Sequence, residues 1–369
     1  MSATAPSAPN PPPSLSYGSA RLAARRESPW RIAGCLVLLL IAWWLIIEPS
    51  VRLSQWHVSP DLNPCFLEAQ AWRHGTFELD QRVRYTALVD GRILNVYPPL
   101  FTFISRVAIA YGLLQGLPEN VFYAPWLLGV VALPLPFVGF WAFRQVVRRS
   151  EWAAVLTGCW LVGTAMWPVM RDAHSGLLNP VHSLLSTTGL MLIAGDLMGR
   201  KRIWPAAIGL LICAWSRQMT LPYGAAILWV AWRHGPQPRR NVAVAGTVLV
   251  VIVGVLAGLN WAKFGNPLES GYRYIYAGGY ETDWAGLQAA EHGVFSPHFV
   301  AKNFTWMNLT PPTFRTSPRG LQLDVDSFGV SIWMTSPLLL AVFLDARRWW
   351  RDGASRALML ASAVVYAAL

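Results

Sequence analysis

Residues 51–99, VRLSQWHVSPDLNPCFLEAQAWRHGTFELDQRVRYTALVDGRILNVYPP, form a polar interruption in an apolar chain. They hold Asp61, Glu68, Glu78, Asp80 and Asp90 beside Arg73, Arg82, Arg84 and Arg92, although only 13% of the 369 residues are charged and 54% are hydrophobic. That balance is too apolar for a soluble domain of this length and reads as an all-α polytopic membrane protein. Where acids collect in such a chain, chemistry is expected.

The formal net charge is +11, yet the arginines sit in short clusters at the ends of apolar runs. Such clustering sets topology, and it argues against a nucleic-acid partner, which would call for one basic face. Cys35, Cys65, Cys159 and Cys213 are scattered, with no disulfide framework and no zinc spacing. Residues 1–29, rich in Pro, Ser and Ala, read as a disordered cytoplasmic tail, longer than the leading region of a signal peptide. Residues 30–369 form the transmembrane part.

The run Ile32 to Ile47 follows Arg21, Arg25, Arg26 and Arg31, which hold its amino end in the cytoplasm and put residues 50–98 outside. Asp61 to Gly75 reads as a short helix with Asp61 as N-cap, Pro64 in its first turn and Gly75 as its stop. Its stripe of Phe66, Ala69 and Trp72 suits a helix lying flat at the membrane interface. Pro98 to Leu114 is short and carries Arg106. The cytoplasmic placement of Arg144, Arg148 and Arg149 after Val121 to Phe143 requires that this short run does not cross. The remaining runs, 152–170, 180–198, 203–215, 221–232 and 242–259, then alternate and place every basic connector on one side. A second polar segment, residues 261–328, falls outside with the first. Gly329 to Leu344 reads as a return, and Leu358 to Leu369 reads as the start of a further crossing in a chain truncated at its carboxyl end.

Two outer segments can close over a cavity at the bilayer surface, where a carboxylate takes a proton from a hydroxyl and cations hold a phosphate. Asp61 is the first candidate base, and a plain N-cap is the alternative. Asp90, in Asp90-Gly91-Arg92, has a comparable claim, with a simple turn as the alternative. Glu68, on the polar side of the short helix, assists either acid or is merely solvated. Arg217 is the most informative cation, because an unpaired guanidinium at the end of an apolar run is costly and its planar donors suit phosphate oxygens. Arg171, Asp172 and His174 form a polar knot on the same face, near His182, without metal-site spacing. Lys263 and Arg273 add positive charge over a phosphate or anchor the chain at the membrane surface. Tyr97 leads back into the membrane, and Tyr272, with its aromatic neighbours, offers a face for a sugar ring.

The arrangement resembles the GT-C superfamily of integral-membrane glycosyltransferases, in particular bacterial relatives of the dolichyl-phosphate-mannose protein mannosyltransferases. The resemblance rests on the acidic first outer segment with its helix ending in Gly75, on Asp90-Gly91-Arg92 and on Tyr97-Pro98-Pro99. It rests also on Arg217, on Phe264-Gly265-Asn266-Pro267 with Gly271-Tyr272, and on the seven crossings counted before the second outer segment. It implies a GT-C-like helix bundle with two large outer loops carrying short interfacial helices, in the bacterial inner membrane. It further implies a polyprenyl-phosphate-linked sugar as donor, an acceptor of unspecified kind, inverting transfer, and Asp61 as base. Pro60-Asp61-Leu62-Asn63-Pro64 carries one acid where family members often carry two, which leaves a divalent metal as an open requirement. Two readings outside this class stand beside it: a transporter or flippase of a lipid-linked or small polar solute, and a non-catalytic envelope assembly protein.

Overall fold

Apolar runs without internal charge leave the backbone nothing to bond but itself, and in the computed structural model they are helices. The structure describes residues 27–53, 63–119, 124–147, 149–171, 178–276, 284–293, 296–317, 320–324, 331–337, 339–340 and 346–368. In chain order come α1 (Pro29–Leu53), α2 (Pro64–Arg73), β1 (Thr86–Val89), β2 (Arg92–Asn95), α3 (Leu100–Leu114), α4 (Ala124–Ala132), α5 (Pro134–Val147), α6 (Ser150–Val162) and α7 (Met166–Arg171). Then follow α8 (Leu178–Met198), α9 (Trp204–Ser216), α10 (Tyr223–His234), α11 (Pro238–Phe264), α12 (Trp284–His292), α13 (Val300–Asn308), β3 (Thr313–Ser317), β4 (Gly320–Asp324), α14 (Ile332–Thr335), α15 (Ala346–Arg351) and α16 (Gly353–Ala368).

Four helical segments among the described residues are long and apolar enough to cross a membrane: Pro29–Pro49, Leu127–Val147, Leu178–Met198 and Pro238–Phe264. The other expected crossings are shorter. Residues 152–170 do not form one helix, because α6 ends at Val162 with Gly163 as its C-cap and α7 starts afresh at Met166. With 13 and 12 residues, α9 and α10 reach only about 20 and 18 Å. Of the return expected over 329–344, residues 329–330, 338 and 341–344 lie outside the described residues, and those described hold the four-residue α14. At the end of the chain, α16 packs on α10, where Tyr223 Oη and Ser362 Oγ are 2.7 Å apart.

Three further expectations are settled by contacts. First, α2 is capped by Asn63, not Asp61: its Oδ1 accepts from Cys65 N (3.0 Å) and Phe66 N (3.2 Å), and Pro64 fills the first helical position. Second, α2 does not lie on a surface, since Cys65, Phe66, Glu68 and Ala69 are fully buried. Third, α3 begins and ends beside α2. Thr102 bonds Glu68, Trp72 packs edge-on to Phe103, and Glu119, just past α3, meets both Arg73 (2.8 Å) and Gln70 (3.2 Å). The expected short run is thus a 15-residue helix of about 22 Å packed against α2, shorter than the four segments long enough to cross.

The two polar segments also hold antiparallel hairpins, β1–β2 and β3–β4, so the fold is mostly rather than wholly helical. Asp90 (φ +50°) and Gly91 (φ +79°) both occupy the left-handed region that the tight β1–β2 turn requires.

The helices α8 and α9 form a closely packed hairpin, because Gly189 and Gly209 face each other. A Cβ on Gly189 would stand 2.4 Å from the Gly209 carbonyl oxygen. This hairpin gives the bundle two chemically distinct ends. At one end lie the basic turn Arg200-Lys201-Arg202, the end of α5 and the start of α6, where Glu27 joins Arg144 and Ser150. At the other lie α2, the β1–β2 hairpin, the start of α8, the end of α9 and the end of α11. One buried apolar cluster reaches this second end and includes Phe66, Phe101, Leu184 and Ile275, so the start of the second polar segment, up to Tyr276, is packed against the first.

Candidate functional site

At the polar end, Glu68 is the deepest charged group, with no solvent exposure. Its Oε2 accepts from Asn95 Nδ2 and Thr102 Oγ1, each at 2.6 Å, and its Oε1 is in ion-pair contact with Lys263 Nζ. The ammonium, 4% exposed, donates also to the Asn95 carbonyl at 3.0 Å. One carboxylate thus joins α2, β2, α3 and α11. Glu68 was expected on a polar face, but in the described structure no solvent reaches it. Lys263, expected over a phosphate or at the membrane surface, is neutralised inside the protein. Burial of each charge is tolerated because the other is in contact and the remaining oxygen is hydrogen-bonded.

A second layer stands beside this pair. Tyr97 stacks on His182 (ring centroids 5.3 Å apart) and meets Tyr272 edge-on at 6.5 Å. Ser216 Oγ donates to the His182 carbonyl at 2.9 Å, so its oxygen is free to accept from His182 Nδ1 at 3.2 Å. That assigns the imidazole proton to Nδ1 and leaves Nε2 to accept from the Cys65 thiol at 3.8 Å. Burial, with the Glu68 charge adding to it, pushes the Cys65 thiol up to about 12. Cys65 and His182 are therefore a packed, protonated contact and not an activated nucleophile. Burial raises the Tyr97 and Tyr272 phenols as well, against the pull of the Arg217 charge, so both stay neutral hydrogen-bonding rings.

Arg217 closes this layer. It sits half-buried as the C-cap of α9, with Nη2 donating to Asn179 Oδ1 at 3.3 Å. Among the described residues no carboxylate pairs with it. The ordinary alternative, a structural pair with a loop acid, is thus not seen there.

The other expected residues are dispersed. Asp61 and His174 lie outside the described residues. Asp90 is exposed at the tip of the hairpin. Arg171 is exposed at the end of α7, its guanidinium 5.4 Å from the Trp167 ring centroid. Arg273 is tied to Glu269 at 2.6 Å and lies over Tyr274 at 4.6 Å. Arg217, Tyr97 and Tyr272 come together, and Glu68 and Lys263 come together beneath them. Residue-by-residue reading missed Asn95, Thr102, Asn179 and Ser216. The available signal was a lone amide or hydroxyl inside an apolar run, as in Ile93-Leu94-Asn95-Val96 and Phe101-Thr102-Phe103. Among the described residues, no three His, Cys, Asp or Glu side chains gather as a metal would require. Compared with family models, curated proteins and solved structures, the chain matches none.

Proposed function

We propose that this chain is a multi-pass glycosyltransferase of the bacterial inner membrane, with its amino end in the cytoplasm, that transfers a sugar from a polyprenyl phosphate to an acceptor hydroxyl at the outer face. The observation that carries the reading is Arg217, a guanidinium without a described carboxylate partner, beside two neutral tyrosines where the two polar segments meet. Planar donors at the edge of a low-dielectric site suit a phosphate, and aromatic faces suit a sugar ring. Glu68 is spent on Lys263, so the base is sought elsewhere, and Asp61, two positions before the α2 cap, is the residue assigned to it. In the step, the acceptor oxygen attacks the anomeric carbon, its proton passes to Asp61, and the carbon–oxygen bond to the phosphate breaks. The polyprenyl phosphate leaves against Arg217, with inversion at the sugar carbon. The GT-C-like bundle and the polyprenyl donor are parts of the same proposal.

The test is release of polyprenyl phosphate from a panel of polyprenyl-phosphate sugars by host membranes that carry the protein, which supply the acceptor hydroxyl without its having to be identified. Asp61→Asn should lower release by about 10²–10⁴, the span of general-base contributions, and Arg217→Gln by about 10²–10³, both with unchanged membrane insertion. Normal release in both variants would remove the proposal.

A further inference from the structure

At the opposite end of α8 a second site is present that the proposed transfer does not use. Gly195 and Gly199 bring the last turns of α8 onto α5: a Cβ on Gly195 would stand 2.6 Å from the Trp141 ring, and one on Gly199 would stand 2.6 Å from Gln145 Cβ. Two adjoining cavities open at this contact and share Arg200. One, of about 450 Å³, is lined by Arg144, Gln145, Gly199 and Arg200, with Met198 its one apolar side chain. The other, of about 270 Å³, is walled mainly by Trp141, Leu192, Trp204, Pro205 and Ile208, with Arg200, Arg202 and Asp196 on it as well.

The charges of this end are unequally matched. Arg144 is held by Glu27 at 3.0 Å. The Asp196 carboxylate accepts from the backbone nitrogens of Arg202 (3.0 Å) and Ile203 (2.7 Å), so it shapes the turn. Lys201 lies in the field of Asp352, whose carboxylate binds Ser355. Arg200 and Arg202 are exposed; neither forms an ion pair with a described carboxylate, although the Arg202 charge is felt by Asp196, whose oxygens are already taken by the turn's backbone. Trp204 and Ile208, 54% and 47% exposed, carry the apolar wall out to the surface of the bundle.

We propose that this end binds an anionic glycerophospholipid, its phosphate on Arg200 and Arg202 and one acyl chain along Trp141, Leu192, Trp204 and Ile208. A cationic cavity and a largely apolar one that share Arg200 in their walls, at the end of helices long enough to cross a membrane, fit an amphiphile. A soluble phosphate would fill the first cavity and leave the second to water. The site lies at the far end of α8 from His182, about 25 Å away at 1.5 Å per residue, and stands whether or not the chain transfers a sugar.

The test uses the full chain in detergent, with dioleoylphosphatidylglycerol, dioleoylphosphatidylcholine or inorganic phosphate added, and bound lipid counted by native mass spectrometry. Phosphatidylglycerol should be retained over phosphatidylcholine, and excess inorganic phosphate should not displace it. The exposed pair R200Q/R202Q should bind it at least about tenfold more weakly, the loss of one charge-assisted contact or more. Arg240→Gln, an exposed arginine on α11, should bind it as the unaltered protein does. Equal retention of the two lipids, displacement by phosphate, full retention by R200Q/R202Q, or an equal loss in Arg240→Gln would each overturn the proposal. Gel filtration and the lipid-free melting temperature check that the variants are folded.

Discussion

Lys263, near the end of α11, is paired with Glu68 of α2 where both are buried, and the Asn95 backbone and side chain bind both partners. Removing one member leaves a buried charge without its counter-charge, which costs more than the pair itself contributes. Lys263→Met should therefore destabilise the protein by about 3–5 kcal/mol, and Glu68→Gln by a similar amount. The double variant E68Q/K263M should recover much of the loss. Thermal unfolding in detergent, read as a double-mutant cycle, checks this; additive losses would mean the two charges do not interact.

The α8–α9 contact has no room for side chains at its two glycines. Gly189→Leu or Gly209→Leu forces the helices apart and should cost at least the 1–3 kcal/mol typical of overpacking, about the same for each. Gly246→Leu, where a Cβ meets nothing within 4 Å, should be tolerated. Folded yield from membranes and melting temperature compare the three.

Asn63 supplies the cap that α2 needs. Asn63→Ala should lower stability by about 1 kcal/mol through the lost bonds to Cys65 N and Phe66 N, whereas Asn63→Asp should retain most of it. The melting temperatures of the two variants decide between capping and mere packing.

The buried thiol makes stability fall at high pH. Cys65 has an ordinary value of 9.0, pushed up to about 12 in the fold. Below pH 9 both states hold the proton and the stabilisation is complete. From about pH 9 to 12 the unfolded chain loses its proton first and stability drops, by up to about 1.4 kcal/mol per pH unit. Cys65→Ala should flatten this limb. Denaturant unfolding between pH 8 and 11 measures the slopes; identical slopes would contradict the raised value.

Much of the coarse plan is legible in the residues. Arginine clusters such as Arg200-Lys201-Arg202 and Arg144 are expected on one side, and the structure gathers them at one end of the bundle. Asp90-Gly91 announces its turn, because few residues accept those backbone angles, although the strands beside it are too short to announce themselves. Pro98 to Leu114 is read as a short run from its length, and the structure makes it a 15-residue helix packed against α2. The Glu68–Lys263 pair is different. Nothing near Glu68 in sequence reveals that a lysine from the end of α11 reaches it, and a glutamate on a short helix is ordinarily solvated. Asp61 and Asn63 both satisfy the chemistry of a cap, and only geometry separates them. The seven expected crossings rest on apolar runs and the basic connectors between them, and neither shows where Gly163 divides a helix.

The central claim is that both polar segments lie at one end of the bundle and the basic turns at the other. Cysteines placed at exposed Asp90, Leu268 and Arg200 in a background without native thiols, probed in intact cells with a membrane-impermeant maleimide, test it most directly. Labelling at 90 and 268 from outside, with 200 reached only after the cells are opened, is the predicted result. Labelling at 90 and 268 from opposite sides would contradict it.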